Sequence, residues 1–499
     1  MNILNKKNHP KPDLPERILQ FGTGVLLRGL PNYLMDKANK KGIFNGQAVV
    51  VKSTSSDTSD FDKQDCLYTV VEKGISNEQV IENEIVIEAI SRVVNANTEW
   101  DNVLKCAENP DMQVVISNTT EVGLQYVAED IFSAPPKSFP AKLTAFLYAR
   151  YRHFDGSEAA GMTVIPTELI VDNGKLLRGY VLQHAEVNEL PDGFTIWIKG
   201  ACDFCSSLVD RIVPGALGAD DRAKLPYEDN LAIQAEPFLL WAVEGGERVR
   251  ERLSFHKTDS RLVIAEDITP FREQKLRILN GGHTISVPLA YLCGVRTVVD
   301  MMEHPQLGRF VEQVILTEIL PTLNGICDNA EPFAQDVISR FKNPFIQHKL
   351  LSITVQCSSK MQSRNALTFQ RYYDKMGHMP PMMSLGFAAY LWFSRPTKVE
   401  NNQFFGENTD GTSRSNREGV SYPIQDDKAA ILQEHWSAVK DFDKARLDIF
   451  VSKIMADNRL FEETLQHIPS FNATIATYLS DIIEYGVLAS IEKLARVPA

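Results

Sequence analysis

A lysine, an asparagine and a histidine lie close together in the segment KLRILNGGHT, which covers residues 275–284. If this segment is an α-helix, a rotation of about 100° per residue places Lys275, Asn280 and His283 within an arc of about 140°. The three side chains would then share one face. Gly281 and Gly282 each cost roughly 1 kcal/mol relative to alanine inside a helix, so we expect a ligand or another backbone to come close there.

These residue types can act together in carbonyl reduction or alcohol oxidation. A lysine can give or take the proton when burial or a nearby cation, such as Arg272 or Arg277, brings its pKa toward neutrality. An asparagine amide can donate a hydrogen bond to the developing oxyanion, and a histidine can orient substrate hydroxyls. A structural alternative stays open, in which Asn280 caps a helix and His283 is satisfied in the core.

A glycine-rich turn near the start of the chain, FGTGVLLRG, follows an apolar run typical of a buried strand. The pair Gly22 and Gly24 lets a chain turn tightly and lets backbone N–H groups approach a pyrophosphate at a helix N-terminus. Leu27 stands where the usual fingerprint has a third glycine. We nevertheless expect a dinucleotide to bind here, through Phe21, Gly22, Thr23, Gly24, Val25 and Leu26, with Arg28 paired to phosphate.

Two further strand-like runs bear on the identity of the dinucleotide. The run that ends at Val51 is followed by Lys52 and Ser53, not by the acid that usually binds the ribose 2′-hydroxyl of NAD, so these residues leave NAD and NADP open. The run 113–117 precedes Thr119 and Glu121, which we expect to line the nicotinamide side because ligands bind outside the carboxyl ends of strands. Ordinary turn chemistry is the alternative.

Composition narrows the class of protein. The chain has 499 residues, 44% of them hydrophobic, and a formal net charge of −12 without a basic cluster, which argues against a nucleic-acid or anionic-membrane surface. The polar start has no apolar signal segment, and seven scattered cysteines fit reduced thiols, so we expect a cytoplasmic protein. Cys202 and Cys205 form one CxxC pair, for which packing is a simpler explanation than metal binding.

The order of predicted elements indicates the fold class. Short β-branched runs alternate with helix-like segments in the first half, which predicts an α/β domain with a parallel sheet over residues 1–272. From residue 273 to 499 helical periodicity dominates, with helices expected at 307–320, 346–355, 429–455 and 475–494. The polar stretch 397–421 is expected to be a long surface loop.

Several of these segments, taken together, resemble the mannitol dehydrogenase family of long-chain polyol dehydrogenases. They are Gly22-x-Gly24-x3-Arg28, Asp172-Asn173-Gly174, Val209-Asp210-Arg211-Ile212, Lys275-x4-Asn280-x2-His283 and Arg340-Phe-Lys-Asn-Pro344. Further segments are most similar to the branch of that family that interconverts D-tagaturonate and D-altronate: ERILQFGTG, DCLYTVVEKG, ISNTTEVGL, SFPAKLT, FCSSLVDRIVPG, RFKNPFIQHKLLSI and YPIQDD. The resemblance runs from about residue 15 to the end of the chain.

The resemblance implies a Rossmann-type N-terminal domain, a mainly helical C-terminal domain, and an active site between them. It implies a metal-independent enzyme that uses NAD, against the suggestion of Lys52. Lys275 would be the general acid/base, Asn280 and Asn173 would hold the reacting oxygen, and His283 would contact substrate hydroxyls.

The implied reaction is reduction of D-tagaturonate to D-altronate in hexuronate catabolism. Lys360, Ser363 and Arg364 offer partners for the substrate carboxylate, and we expect Lys360 and Arg364 to bind it. The alternatives are fructuronate as substrate, a neutral polyol, or a silent dinucleotide-binding sensor. The retained lysine, asparagines and histidine argue against the last of these.

Overall fold

A computed structural model describes residues 2–54, 57–76, 79–119, 122–408, 420–462 and 465–496. The chain divides into two compact units, Met1–Thr269 and Pro270–Ala499. The sequence placed the boundary after residue 272. Each unit has its own core and is described by itself.

Unit 1 contains thirteen strands and nine α-helices among its described residues. The strands are β1 (Glu16–Phe21), β2 (Gln47–Lys52), β3 (Tyr68–Ser76), β4 (Gln79–Ile87), β5 (Ile90–Asn95), β6 (Val114–Ser117), β7 (Thr163–Pro166), β8 (Asp203–Phe204), β9 (Ser207–Asp210), β10 (Gly215–Ala216), β11 (Ile233–Ala235), β12 (Leu240–Glu244) and β13 (Leu262–Ala265). The helices are α1 (Val25–Gly29), α2 (Pro31–Asn39), α3 (Ser59–Lys63), α4 (Trp100–Lys105), α5 (Phe139–His153), α6 (Asn173–Val187), α7 (Asp192–Gly200), α8 (Ala219–Arg222) and α9 (Glu247–Arg252).

The main sheet of unit 1 is parallel throughout, with strand order β5-β2-β1-β6-β7-β8. Ile18, Val50 and Ile116 pack on one face, and Leu19 and Val49 pack on the other. Because both faces are covered, these strands are continuous apolar runs rather than alternating ones. This strand order is that of the doubly wound dinucleotide-binding fold, so the expected α/β Rossmann-type domain is confirmed.

Two smaller features of unit 1 differ from what the sequence predicts. The helix-like segment 26–40 predicts one helix, but two form, because Pro31 lacks an N–H and begins a new helix, α2, after Leu30. The β-branched run 163–171 predicts one strand, but that strand ends at Pro166, and Leu169 and Val171 are exposed beyond it. The remaining strands form two small sheets, in the orders β10-β11-β3-β4 and β13-β12-β9.

Unit 2 is mainly helical, as expected. Its α-helices are α10 (Thr269–Gln274), which starts one residue before the unit boundary, α11 (Gly282–Leu292), α12 (Val298–Glu303), α13 (Pro305–Gln313), α14 (Ala330–Phe341), α15 (Leu350–Ile353), α16 (Cys357–Met376), α17 (Pro381–Phe393), α18 (Ala429–Ser437), α19 (Lys444–Met455), α20 (Phe471–Tyr485) and α21 (Val487–Ala495). Two π-helices, π1 (Lys275–Gly281) and π2 (Val314–Ile319), each continue an α-helix. None of the helices in the described residues is long and apolar enough to span a membrane.

The expected loop 397–421 is wrong for its described part, because an antiparallel sheet forms there. It consists of β14 (Lys398–Glu400), β15 (Gln403–Asn408) and β16 (Val420–Ile424). Tyr422 ties this sheet to α17, since its ring stacks on Phe393 at 4.6 Å and its hydroxyl donates to the Phe393 carbonyl at 2.7 Å. Residues 409–419 lie outside the described part of the chain.

Three helices predicted for unit 2 are shorter or broken. The helix expected over 346–355 is only α15, and the one expected over 429–455 is the pair α18 and α19. Gly486, with φ +82°, separates α20 from α21 where one helix was expected. A positive φ ends a helix, and periodicity of apolar residues continues across such a break without recording it.

The Asp172-Asn173-Gly174 motif begins α6 and presses it against the backbone of the neighbouring loop. Asp172 adopts a left-handed conformation with φ +52°. A Cβ on Gly174 would lie 2.4 Å from the Cys205 carbonyl carbon and 2.4 Å from the Ser206 nitrogen. Glycine is therefore required at 174, whereas the exposed Gly179 of the same helix has no heavy atom within 4 Å of the corresponding position.

We predict opposite effects on stability for two alanine substitutions in α6. Gly174→Ala should destabilise unit 1 by about 1–3 kcal/mol, because backbone atoms must move to accept the methyl group. Gly179→Ala should stabilise it by roughly 0.5–1 kcal/mol through helix propensity alone. Urea unfolding of both variants measures this, and equal effects would show that α6 does not pack as described.

Candidate active site

A cleft of about 610 Å³ lies in unit 1 beyond the carboxyl ends of β1, β2 and β6. Ligands of doubly wound sheets bind at this edge. Six of the residues expected to bind cofactor line the cleft: Phe21, Gly22, Thr23, Gly24, Lys52 and Thr119.

The two glycines give the cleft its shape. Gly22 has φ +123°, and a Cβ there would lie 3.2 Å from the Asn118 carbonyl oxygen and 3.2 Å from Leu27 Cδ1. Gly24 precedes α1, and a Cβ there would enter open space, with no atom within 4 Å. The empty space beside Gly24 and the tight turn at Gly22 therefore fit the close approach of a pyrophosphate to backbone.

Two lysines and a helix N-terminus in this cleft were not predicted. Ser138 accepts a hydrogen bond from the Ala141 N–H at 3.3 Å and so caps α5, which begins at the cleft wall. Lys137 and Lys142 also line the cleft, and burial lowers the pKa of Lys142. Lysines and a helix N-terminus both favour an anion. The SFPAKLT segment that contains most of these residues was noted only as part of a family resemblance.

Several residues that were expected to bind cofactor make other contacts in this structure. Arg28 is buried, and it donates to the Thr23 carbonyl at 3.2 Å and to the Leu231 carbonyl at 2.6 Å, so the expected pairing with phosphate is not supported. Val25 and Leu26 pack against the core beneath the sheet and do not line the cleft. Glu121 lies outside the described residues.

Thr119 contacts a buried acid that sequence reasoning missed. Its N–H and its hydroxyl donate to Glu168 Oε1 at 2.8 and 3.0 Å, and Ser117 donates to Glu168 Oε2 at 3.2 Å. Burial raises the pKa of Glu168, while these donors oppose the shift. Because the Thr119 hydroxyl proton points to Glu168, its lone pairs are left to accept hydrogen bonds from a ligand in the cleft.

Asn173 does not present its amide to a ligand. The residue is fully buried, and its Nδ2 lies within 3.1 Å of the carbonyl oxygens of Pro166, Glu168 and Ser207. Its Oδ1 accepts from the Ser207 N–H at 2.9 Å. The expected role of Asn173 in holding the reacting oxygen is therefore not supported, and the side chain instead joins the start of α6 to the end of β7, to Glu168 and to the start of β9.

In unit 2, the segment expected to be an α-helix around Lys275 and Asn280 is the π-helix π1. A π-helix bonds residue i to residue i+5, so Asn280 lies about one turn beyond Lys275 and faces the same side. In an α-helix the two residues would be separated by about 140° around the axis. Both side chains are partly exposed. Their alignment is closer than the sequence predicted.

The two glycines after Asn280 allow other helices to approach, not a ligand. A Cβ on Gly281 would lie 3.3 Å from Asn365 Nδ2 of α16, and a Cβ on Gly282 would lie 3.3 Å from two side-chain carbons of Ile315 in π2. Of the two explanations that the sequence left open, close approach of another chain segment is the one observed.

His283 lies against an aromatic wall. Its ring stacks on Phe341 at 3.9 Å with an interplanar angle of 11°, and the His348 ring meets it edge-on at 5.7 Å. Burial, together with His348, Arg340 and Arg364, lowers the pKa of His283 well below its ordinary value, so the ring is neutral near pH 7. Its Nε2 is buried and has no hydrogen-bond partner within the described residues.

Two cations of α16 lie near these two rings. Lys360 and Arg364 are one turn apart near the start of α16, and Lys360 donates to the Ile353 carbonyl at 3.0 Å. Burial and repulsion from Arg364 lower the pKa of Lys360. Arg364 donates to the Thr284 hydroxyl at 3.1 Å. Arg364 is close enough to His283, and Lys360 close enough to His348, for their charges to add to the lowering of each ring's pKa by burial.

The positions of the cysteines do not indicate a metal site. All seven are free, and burial raises the pKa of Cys202 to about 12 and raises that of Cys205 as well. Cys202 and Cys205 are packed in the core of unit 1. Across the described ranges, no three His, Cys, Asp or Glu side chains are grouped so that they could hold a metal ion.

Full-length relatives of the chain include proteins named altronate oxidoreductase. Proteins named altronate oxidoreductase from Bacillus subtilis (strain 168) and from Pectobacterium carotovorum subsp. carotovorum (strain PC1) are each 36% identical to it over 501 residues. These matches cover 99% of this chain and 98% and 99% of the two relatives.

Solved structures support the fold. The Pseudomonas fluorescens mannitol 2-dehydrogenase in a ternary complex with NAD and D-mannitol is 22% identical and matches with a TM-score of 0.68 over 99% of this chain and 100% of that one. A D-sorbitol dehydrogenase in substrate-free form is 21% identical, with a TM-score of 0.77 over 98% and 100%.

Two family models cover most of the sequence. The Mannitol dehydrogenase Rossmann domain matches residues 16–257, and the Mannitol dehydrogenase C-terminal domain matches residues 267–483. Together with the full-length relatives, these matches show an oxidoreductase that acts on CH–OH groups. The chain belongs to the mannitol dehydrogenase family.

Proposed function

We propose that this enzyme reduces D-tagaturonate to D-altronate with NADH, reversibly and without a metal, in hexuronate catabolism. The observation that carries the proposal is the placement of two partly buried cations, Arg364 near His283 and Lys360 near His348, in the unit that also contains Lys275 and Asn280. A neutral polyol offers nothing to such cations, whereas the carboxylate of a keto acid does. The relatives named altronate oxidoreductase support the same substrate.

The cleft of unit 1 fits NAD. Gly22 and Gly24 supply the pyrophosphate turn, and the Thr119 hydroxyl is held by Glu168 as an acceptor for a ligand N–H or O–H. Lys52 donates to the Thr54 carbonyl at 2.9 Å and to the Thr54 hydroxyl at 3.0 Å. Because these bonds hold its ammonium group, we propose that Lys52 does not select the 2′-phosphate of NADP.

The residues of unit 2 supply the proton. When bound, the reduced nicotinamide supplies a hydride to the substrate carbonyl carbon. The Lys275 ammonium donates one proton to the oxygen, which becomes the new hydroxyl. Lys275 is then a neutral amine, which solvent reprotonates. The Asn280 amide donates a hydrogen bond to the same oxygen as negative charge develops there. In altronate oxidation, the neutral Lys275 amine takes the hydroxyl proton.

The neutral state of His283 suits a polyhydroxylated substrate. A neutral imidazole has one donor and one acceptor nitrogen, so it can donate a hydrogen bond to a hydroxyl or accept one from it. Stacking on Phe341 fixes the plane of the ring. We propose that the unpartnered Nε2 of His283 bonds to a substrate hydroxyl.

The seven free thiols fit a reducing compartment. We therefore propose that the enzyme is cytoplasmic.

The direct test of this function is NADH oxidation with tagaturonate, fructuronate and fructose in parallel, repeated with NADPH. We expect the largest kcat/KM with tagaturonate and NADH, little or no activity with fructose, and a lower kcat/KM with NADPH. Preference for fructuronate would assign the enzyme to the epimeric substrate. Preference for fructose would refute recognition of the carboxylate, and absence of turnover with all three would favour a silent binding protein.

Removal of either cation should reduce activity on the charged substrate selectively. A charge-assisted hydrogen bond contributes roughly 1.5–3 kcal/mol, so Lys360→Ala or Arg364→Ala should lower kcat/KM for tagaturonate about 10–200-fold. Residual turnover of a neutral ketose, if measurable, should change little.

Lys375→Ala is the matched control for this experiment. Lys375 lies on the same helix as Lys360, and it likewise donates to a backbone carbonyl, that of Pro321 at 2.8 Å, but it is exposed in the last turn. Equal losses on charged and neutral substrates would show that Lys360 and Arg364 have a structural role. No loss beyond that of the Lys375 variant would remove them from the site.

A further inference from the structure

Three side chains join the segment of unit 2 that contains π1 to the helix α16. Asn365 Nδ2 donates to the Gly281 carbonyl at 3.1 Å. Arg277 Nη1 donates to the carbonyls of Ser363 and Arg364 at 2.8 and 2.9 Å. Arg364 in turn donates to the Thr284 hydroxyl at 3.1 Å. The helix that contains the expected carboxylate-binding cations is thus bonded directly to the π-helix that contains Lys275 and Asn280.

Arg277 is held in this position by a partly buried acid. Glu273 contacts Arg277 Nη2 at 3.2 Å and Arg371 Nη1 at 2.6 Å. Burial alone would raise the pKa of Glu273, but the two arginines lower it, so the carboxylate stays charged. From the sequence, Arg277 was a candidate for lowering the pKa of Lys275. In the structure its guanidinium instead forms an ion pair with Glu273 and donates to backbone carbonyls of α16.

These bonds bear on the choice between π and α geometry. A π-helix is rarer than an α-helix and occurs mostly as single turns at functional sites. Relaxation of residues 275–281 to an α-helix would rotate Asn280 away from Lys275, to about 140° around the axis. It would also shift the Gly281 carbonyl and the Arg277 side chain relative to α16. The bonds from Asn365 and Arg277 therefore oppose that relaxation.

We propose that Asn365 and Arg277 are positioning residues that keep π1 in its π form. They thereby align Lys275 with Asn280 and set both relative to Lys360 and Arg364. The proposal rests on the proposed function, because the alignment matters only if Lys275 and Asn280 act on the same substrate oxygen. Neither Asn365 nor Arg277 is assigned a contact with substrate.

The test replaces Asn365 with leucine and compares it with a matched variant. Leucine has the same number and branching of side-chain heavy atoms as asparagine, but it cannot donate to the Gly281 carbonyl. Asn408→Leu is the control, because Asn408 is also buried, also donates to a backbone carbonyl (Tyr291, at 3.4 Å), and also has an unpartnered Oδ1. General loss of a buried amide would affect both variants alike.

We expect Asn365→Leu to lower kcat about 10–100-fold, because small misplacements of reacting groups are costly, while KM for the keto acid changes less than about threefold. Asn408→Leu should keep kcat within about threefold at a similar change in Tm. The kcat of Arg277→Lys should lie between those of the wild type and Arg277→Ala, because lysine keeps a donor group but loses the planar guanidinium that can donate to two carbonyls.

Amide hydrogen exchange of residues 275–281 provides a readout that does not depend on activity. Faster exchange there in Asn365→Leu, but not in Asn408→Leu, would support the proposal. Unchanged exchange, or a kcat loss no larger than that of the control, would overturn it. If the wild-type enzyme reduced no keto acid, the proposed function would fail, and the exchange comparison would still decide whether Asn365 holds π1.

Discussion

A Cβ at position 281 would lie 3.3 Å from Asn365 Nδ2, so glycine there allows π1 and α16 to pack closely without a shift of Asn365. That contact allows Asn365 to bond to the Gly281 carbonyl and Arg277 to bond to the backbone of α16. The packing of π1 against α16 therefore fixes the positions of Lys275 and Asn280 relative to Lys360 and Arg364. The cost of two glycines in a helix is offset by this packing.

Burial shifts the pKa values of the side chains in unit 2 that we expect to bind substrate. Burial lowers the pKa values of both Lys360 and Arg364, and repulsion from Arg364 lowers that of Lys360 further. A bound carboxylate would favour both charged forms, which makes an anionic substrate a better partner for these two cations than a neutral one. Burial likewise keeps His283 neutral, so an uncharged ring suited to hydroxyl groups lies near the Arg364 cation.

Apolar runs predicted much of the architecture, for a physical reason. Strands covered on both faces are continuously hydrophobic, so β1, β2 and β6 were recognisable in sequence. The π-helix was not, because apolar periodicity does not distinguish one extra residue per turn. The sheet β14–β16 was missed because its strands are short, polar and partly exposed.

Side-chain direction limited the prediction of the site. Gly22, Gly24, Lys52 and Thr119 line the cleft because backbone shape and strand ends place them there. Arg28 and Asn173 were expected to face ligands, but both are buried and bonded to backbone carbonyls. A one-dimensional motif gives residue types and spacing, and it does not show whether an arginine or an asparagine points to the cleft or to the core.

We propose that Lys275, aligned with Asn280 by π1, exchanges the proton with the substrate oxygen. The turnover of Lys275→Ala tests this role most directly, with NADH binding followed separately and small primary amines added to the assay. We expect a loss of about 10²–10⁴-fold in kcat, nearly unchanged NADH binding, and partial recovery of turnover with the added amine. Near-normal turnover of Lys275→Ala without amine would contradict the role of Lys275 as the proton donor.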